Sequence, residues 1–313
     1  VLTVTACGAG VSDSGVADPP ATSASVVVTD PAPAPEEVAA TTEPTATDDE
    51  VVVSLGEEFL LADLLALGVV PVASTATVPT AGFQGLGQFE TEGIEALPST
   101  DVNLERLAAL QPDVIVTTEF LAGQVGEALL ADLGELVVID DDATADEQLQ
   151  VLAERFDATD AADLLLAELD AARADLADAI AARPQACEVS LATVYPGPSP
   201  AAWTTGATEI PAAVLEAGCT LRPGADVGEA DRNGRLFLSL EQLGLLDAPR
   251  LVLLQSDAVE GETDAVAALA DNPLWATVPA VTAAEVVTLD RLGYPGVVGQ
   301  IALQRDLVAA LAS

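Results

Sequence analysis

Asn103-Leu104-Glu105-Arg106-Leu107-Ala108-Ala109-Leu110-Gln111-Pro112-Asp113-Val114-Ile115-Val116 is the stretch on which the fold turns. Asn103 is a strong N-cap residue, Glu105 falls in the first turn, where the helix dipole favours a carboxylate, and Leu recurs at helical spacing until Pro112 ends the run. Val114-Ile115-Val116 then continues as an apolar strand of the kind buried on both faces. The same grammar returns in Ser239-Leu240-Glu241-Gln242-Leu243-Gly244-Leu245-Leu246, which leads through Asp247-Ala248-Pro249 into Leu251-Val252-Leu253. A capped helix before a buried strand is common in α/β proteins. Here the whole helix-Pro-strand order recurs with one inserted residue, so two similar lobes are expected.

Outward from the first copy, Val51–Ser54 reads as a buried strand, followed by a helix carrying Phe59, Leu60, Asp63, Leu64 and Leu67 and stopped by Gly68. A helical stretch from Gly123 to Leu133, a strand at Val137–Ile139 and a helix from Ala145 to Phe156 follow. The alternation resumes with strands at Val189–Val194, Leu251–Leu254 and Val286–Leu289 and closes with a helix from Val297 to Leu311. Such alternation implies parallel sheets covered on both faces. Between the halves, Ala158 to Arg183 contains no Gly or Pro and carries apolar Leu165, Leu169, Ala172, Leu176 and Ile180. At ~1.5 Å per residue this helix would span ~39 Å, the reach of a rigid connector. The expected fold is therefore α/β: two doubly wound lobes, residues 50–157 and 185–313, joined by one long backbone helix at 158–184, with a ligand cleft between the lobes.

The composition narrows the function. The chain has 313 residues, 10 cations that are all Arg, 51 acids, no His and a formal charge of −41. Half the residues are hydrophobic, enough for a sizeable core. A surface this negative repels phosphate backbones and anionic headgroups, so no nucleic-acid partner is expected. Without His, the usual Ser-His-Asp and Cys-His catalytic arrangements and His-based zinc sites are excluded. No catalytic residue and no metal site are assigned. Asp140-Asp141-Asp142 reads as a cap and solvated turn, and Gly85-Leu86-Gly87 is too short for a phosphate cradle. The acidity suits a hydrated surface in salty surroundings, although GC-rich codon usage also depletes Lys.

Val1–Ala6 is apolar or small and runs into Cys7-Gly8, like the end of a signal peptide at a bacterial lipobox (residues 1–7), where the Cys is lipidated. An ordinary strand with a chance Cys is the alternative. Residues 8–49 are rich in Ala, Thr, Ser, Pro, Asp and Glu and lack periodicity, which makes them an expected disordered tether. The other cysteines, Cys187 and Cys219, are an even remainder in an exported chain. They are read as one disulfide, with two buried thiols as the alternative.

Residues 50 to 313 resemble the substrate-binding proteins of ABC importers with a rigid helical backbone, the family that captures ferric siderophores, haem and cobalamin. The resemblance rests on Val53-Ser54-Leu55-Gly56 with its helix, on the stretch from Asn103 to Val116, on the connecting helix, and on Asn272-Pro273-Leu274-Trp275 through Val286-Val287 to Leu289-Asp290. It implies an extracytoplasmic, lipid-anchored solute receptor, not an enzyme, that works as a monomer, needs no cofactor and has an ABC permease dimer as partner. It also implies that Glu105 and Glu241, one on the outer face of each lobe, dock onto the permease.

In doubly wound domains ligands meet the loops at the carboxyl ends of the strands. Of ten aromatics, Phe83, Phe89, Phe120, Tyr195, Trp203 and Tyr294 fall in those loops and are candidates for a ligand wall, though loops at a lobe interface also pack aromatics against one another. Arg232, Arg235 and Arg291 lie in the same loops and are candidates for binding an anionic cargo through charge-assisted bonds. Salt bridging to the abundant acids, such as Arg232 with Asp231 or Glu229, is the alternative. The expected function is capture of a ferric siderophore and its delivery to an ABC importer. Cobalamin or haem is the rival cargo; a surface hydrolase or a wall-associated module fits the residues less well.

Overall fold

The computed structural model describes residues 50–197 and 199–312. The expected lipobox Cys7 and the tether at 8–49 lie outside the described residues. The first lobe is built on β1 (Val52–Leu55), β2 (Ala73–Ala76), β3 (Glu95–Pro98), β4 (Val114–Thr118) and β5 (Glu135–Ile139). They form one sheet in the order β3-β2-β1-β4-β5, with every pairing parallel. All four residues of β1 are buried, as the unbroken apolar run requires for a central strand.

The connections of this lobe are α1 (Glu57–Ala66), α2 (Leu104–Leu110), α3 (Glu119–Val125), α4 (Glu127–Ala131) and α5 (Ala145–Arg155). Asn103 caps α2 by accepting the Arg106 amide at 3.0 Å, and Thr144 with Glu147 forms a capping box on α5. The single helix expected from Gly123 to Leu133 is instead two. Thr118 caps α3 well before Gly123, and Gly126, at φ +108°, breaks the helix before α4. Phe120 therefore sits on a helix rather than a loop.

The connector is α6 (Thr159–Ala181). The second lobe follows with β6 (Glu188–Tyr195), β7 (Ser199–Trp203), α7 (Glu209–Glu216), β8 (Thr220–Leu221), β9 (Arg235–Phe237), β10 (Arg250–Gln255), α8 (Glu262–Ala270), α9 (Pro279–Thr282), β11 (Val286–Asp290) and α10 (Gly296–Leu311). Its sheet runs β11-β10-β6-β7-β9, with β8 paired to the start of β6. The stretch from Tyr195 to Gly206, expected as a loop, contains the antiparallel strand β7, so this sheet is mixed. A tight turn with Gly197 at φ +87° permits the reversal, and the small Ala201 and Ala202 are fully buried beside β6. The second copy of the helix-Pro-strand motif also differs: Leu240–Leu245 is a 3-10 helix, not an α-helix. It is short, and Gly244 lowers its helix propensity.

Two helices, not α6 alone, run through both cores. Leu169 of α6 and Val297 and Ile301 of α10 belong to the first lobe's core, whereas Leu176 of α6 and Leu303 and Leu307 of α10 belong to the second. Each of these buried aliphatic side chains contributes about 1.5–3 kcal/mol relative to exposure. Cys187 and Cys219 are joined by a disulfide that ties the entry to β6 to the exit of α7 inside the second core.

Candidate functional site

The cleft lies where the carboxyl ends of the two sheets meet. Glu58 and Phe59 follow β1, Thr77 follows β2 and Arg291 and Leu292 follow β11. Together with Glu209, Ile210, Tyr294, Pro295 and Gln300 these residues line a small, open pocket with a cavity volume of about 50 Å³. Its walls are fixed by close approach. A Cβ on Gly85 would collide with Pro295 and the Leu292 carbonyl across the cleft. At the base, the fully buried Asp63 of α1 accepts the Val297 amide at 2.8 Å and the Gln148 side-chain amide at 2.6 Å. Burial raises the Asp63 pKa to about 6, against the lowering effect of these two bonds.

Glu58 is 4% exposed and accepts the Thr77 amide at 3.1 Å, the Thr77 hydroxyl at 2.6 Å and the Gln84 amide at 3.3 Å. No cation pairs with it among the described residues. Phe59, expected on the core face of its helix, is 39% exposed in the pocket instead. Leu60, Leu61 and Leu64 already fill the inward stripe of α1, which leaves Phe59 outside it.

A second feature, in the second lobe, is a cluster on one face of the β6-β7-β9 ribbon. Arg235 lies with its guanidinium carbon 5.6 Å from the Tyr195 ring, 5.6 Å from Phe237 and 5.9 Å from Trp203. Its Nη1 donates to the Tyr195 hydroxyl at 2.8 Å, and its Nε and Nη2 face Asp231 at 2.9 and 2.7 Å. Strand pairing explains the gathering: Trp203 stands opposite Arg235, and Phe237 opposite Ala201. The bond from Arg235 holds the Asp231 carboxyl below its ordinary range. Trp203 is 8% exposed and donates to the Thr193 hydroxyl at 3.1 Å, so it backs the wall rather than forming its open surface. Phe237, absent from the expected set, is 51% exposed. The period-2 alternation of Arg235 and Phe237 against Leu236 and Leu238 was the signal that could have found it.

The other expected residues are dispersed. Phe83 and Phe89 pack against the small core of Leu61, Ala62, Leu86 and Ile94. Phe120 is 54% exposed on α3, and its amide is held by Asp141. Tyr294 lines the pocket, but its hydroxyl donates to Asp306 at 2.8 Å, and burial first, then Asp306, drives its pKa far above the ordinary range. The three arginines are not three free cations. Arg291 places Nη2 2.5 Å from Oε1 of the fully buried Glu262, Arg235 pairs with Asp231, and only Arg232 is an exposed arginine with no ion pair among the described residues. At Arg291 the guanidinium beside the buried Glu262 carboxylate relieves a desolvation cost that no exposed site imposes.

Glu105 and Glu241 are both exposed, each in the first turn of the helical segment that leads into β4 or β10. Asp140 and Asp141 accept the backbone amides of Asp142 and Phe120, a turn and a cap.

Two α/β lobes clamped by a pair of helices around a cleft have the architecture of a solute-binding protein. Residues 52–291 match the family described as Periplasmic binding protein, and the chain belongs to that family of extracytoplasmic, non-enzymatic receptors. No curated protein matches the chain in sequence. Among solved structures, SirA from Staphylococcus aureus is similar at 19% identity and a TM-score of 0.65, over 84% of this chain and 98% of that one. FeuA from Bacillus subtilis, a triscatecholate siderophore binding protein complexed with ferri-bacillibactin, is similar at 17% identity and a TM-score of 0.68, over 86% and 93%. The siderophore binding protein FhuD from Vibrio cholerae, with Fe3+-Desferal bound, stands at 18% identity and 0.66, over 84% and 98%. These likenesses are of fold.

Proposed function

We propose that this protein captures a ferric siderophore in the cleft between its lobes and delivers it to the permease dimer of an ABC importer, held at the membrane by a lipid on Cys7. The observation that carries the reading is the Arg235 cluster, a guanidinium set among aromatic rings in the second lobe. Tyr195 and Phe237 offer partly exposed rings, and Arg235 offers a guanidinium oriented by Asp231. Such a surface suits a bulky chelate with oxygen acceptors around its metal and organic arms between them. The solved relatives named above that hold ferric chelates support the same choice of cargo.

Trp203 makes the reading testable, because it touches the cluster, whereas Trp275 is buried in a separate core. Titration with ferric siderophores, haem and cobalamin should quench Trp203 fluorescence for a ferric siderophore alone. Phe237→Ala should weaken that binding by about 10-fold, equivalent to about 1.4 kcal/mol. Saturable binding of haem or cobalamin in place of every ferric siderophore would overturn the reading. Glu105 and Glu241 are assigned to permease docking. Reversing both charges should abolish cellular uptake and leave cargo affinity unchanged, whereas a fall in cargo affinity would show that they serve the cleft.

A further inference from the structure

We infer that the cleft selects ferric chelates of zero or positive net charge, the trihydroxamate class, and rejects polyanionic triscatecholates. The inference rests on the ferric-siderophore reading above and concerns which chelate enters. Three hydroxamates bring three negative charges to Fe3+ and leave its core neutral; three catecholates bring six and leave it at −3. Discrimination therefore depends on whether the cleft holds cationic charge that its own acids have not cancelled.

The charged residues lining the pocket are Glu58, Glu209 and Arg291. Arg291 is neutralised by Glu262, which is 0% exposed and also accepts the Ser256 amide at 3.0 Å. Glu58 has hydrogen-bond donors around it but no cation, and Glu209 is exposed at the start of α7 with no ion pair among the described residues. Arg235, outside the pocket lining, is matched one to one by Asp231. Arg232 is a single exposed charge within a chain of net charge −41. The field in the cleft is thus negative. A −3 chelate meets uncompensated like charge at close range, and such juxtaposition discriminates against it. The remaining lining, Phe59, Ile210, Leu292 and Pro295, is apolar and suits the aliphatic arms of a trihydroxamate. Arg235 and Tyr195 still offer donors to hydroxamate oxygens, because a salt-bridged guanidinium remains a donor without contributing net charge.

Equilibrium ultrafiltration of the purified full chain against 55Fe-labelled Fe3+-Desferal, whose free amine makes it cationic, and 55Fe-labelled ferri-bacillibactin tests this directly. The trihydroxamate should bind about 100-fold more tightly at 0.15 M salt, with the gap narrowing at 1 M as screening removes the repulsion. Glu209→Gln should narrow the gap several-fold by improving triscatecholate binding, while hydroxamate affinity changes little. Equal or tighter triscatecholate binding, or a gap indifferent to both salt and Glu209→Gln, would overturn the charge selection and leave the receptor reading standing. Binding of neither chelate, nor of any other ferric siderophore, would overturn the receptor reading and the selection with it.

Discussion

The Asp63 carboxylate of α1 accepts the amide of Val297, 234 residues away, in the first turn of α10. Pro295, the cap residue of α10, supplies no side-chain cap, so a residue of the other lobe serves the first turn of the helix. The bond fastens α10, which traverses both cores, to the floor of the cleft.

Asp63 should make stability depend on pH in the direction opposite to an ordinary salt-bridged carboxylate. Its folded pKa of about 6 lies above the ordinary aspartate value of 3.8, so the folded state keeps a proton that the unfolded state releases as pH rises. The stability from protonated Asp63 is present in full below about pH 4 and is lost as pH climbs through 6, a change on the order of 3 kcal/mol. Denaturant midpoints of wild type and Asp63→Asn at pH 4, 5, 6 and 7 should diverge, with the variant gaining relative stability above pH 6. Parallel profiles would show that Asp63 is not the titrating group.

Gly296 should resist substitution more than any surface glycine of similar backbone. Its φ is +62°, and a Cβ there would stand 2.5 Å from the Asp63 Oδ1 and 2.7 Å from the Ala62 Cβ. Gly82, at φ +76°, has nothing within 4 Å of its Cβ position. Gly82→Ala should cost only the left-handed strain of about 1 kcal/mol, whereas Gly296→Ala should cost at least twice that, because α1 and α10 must also separate. Equal losses of thermal stability would refute the close-approach argument.

Arg291→Gln should act on stability before it acts on cargo. Removing the guanidinium leaves Glu262, fully buried, with only the Ser256 amide and no cation. Breaking a buried pair from one side costs about 3 kcal/mol, the lower figure being apt because Arg291 is partly exposed. Adding Glu262→Gln should recover part of the loss. A urea midpoint unchanged by Arg291→Gln would show that the pair contributes nothing to stability.

The disulfide should matter most to the second lobe. Cys187 and Cys219 are 32 residues apart, and a loop of that length corresponds to about 3–4 kcal/mol in the chain-entropy account. Replacing both by Ser should lower the unfolding free energy by that amount under oxidising conditions and make the unfolding midpoint insensitive to reductant. A wild-type midpoint already insensitive to reductant would contradict a bond that stabilises the fold.

Much of this architecture was legible in the linear chain. The run from Asn103 to Val116 and its echo from Ser239 announced two related lobes, and the uninterrupted stretch from Ala158 to Arg183 announced the connector, observed at Thr159–Ala181. These features are local: caps, periodicity and proline breaks act within a few residues and leave their mark in sequence. The reversal of β7, the second bridging role of α10, the exposure of Phe59 and the partners of Arg235 and Arg291 were decided in three dimensions. A guanidinium pairs with whichever carboxylate the folded backbone brings within about 4 Å. With 51 acids available, nothing in the sequence distinguishes Glu262 from its alternatives until the fold brings the start of α8 to the residue that follows β11. The fold followed from pattern, whereas the charge balance of the cleft followed from distances that only tertiary packing sets.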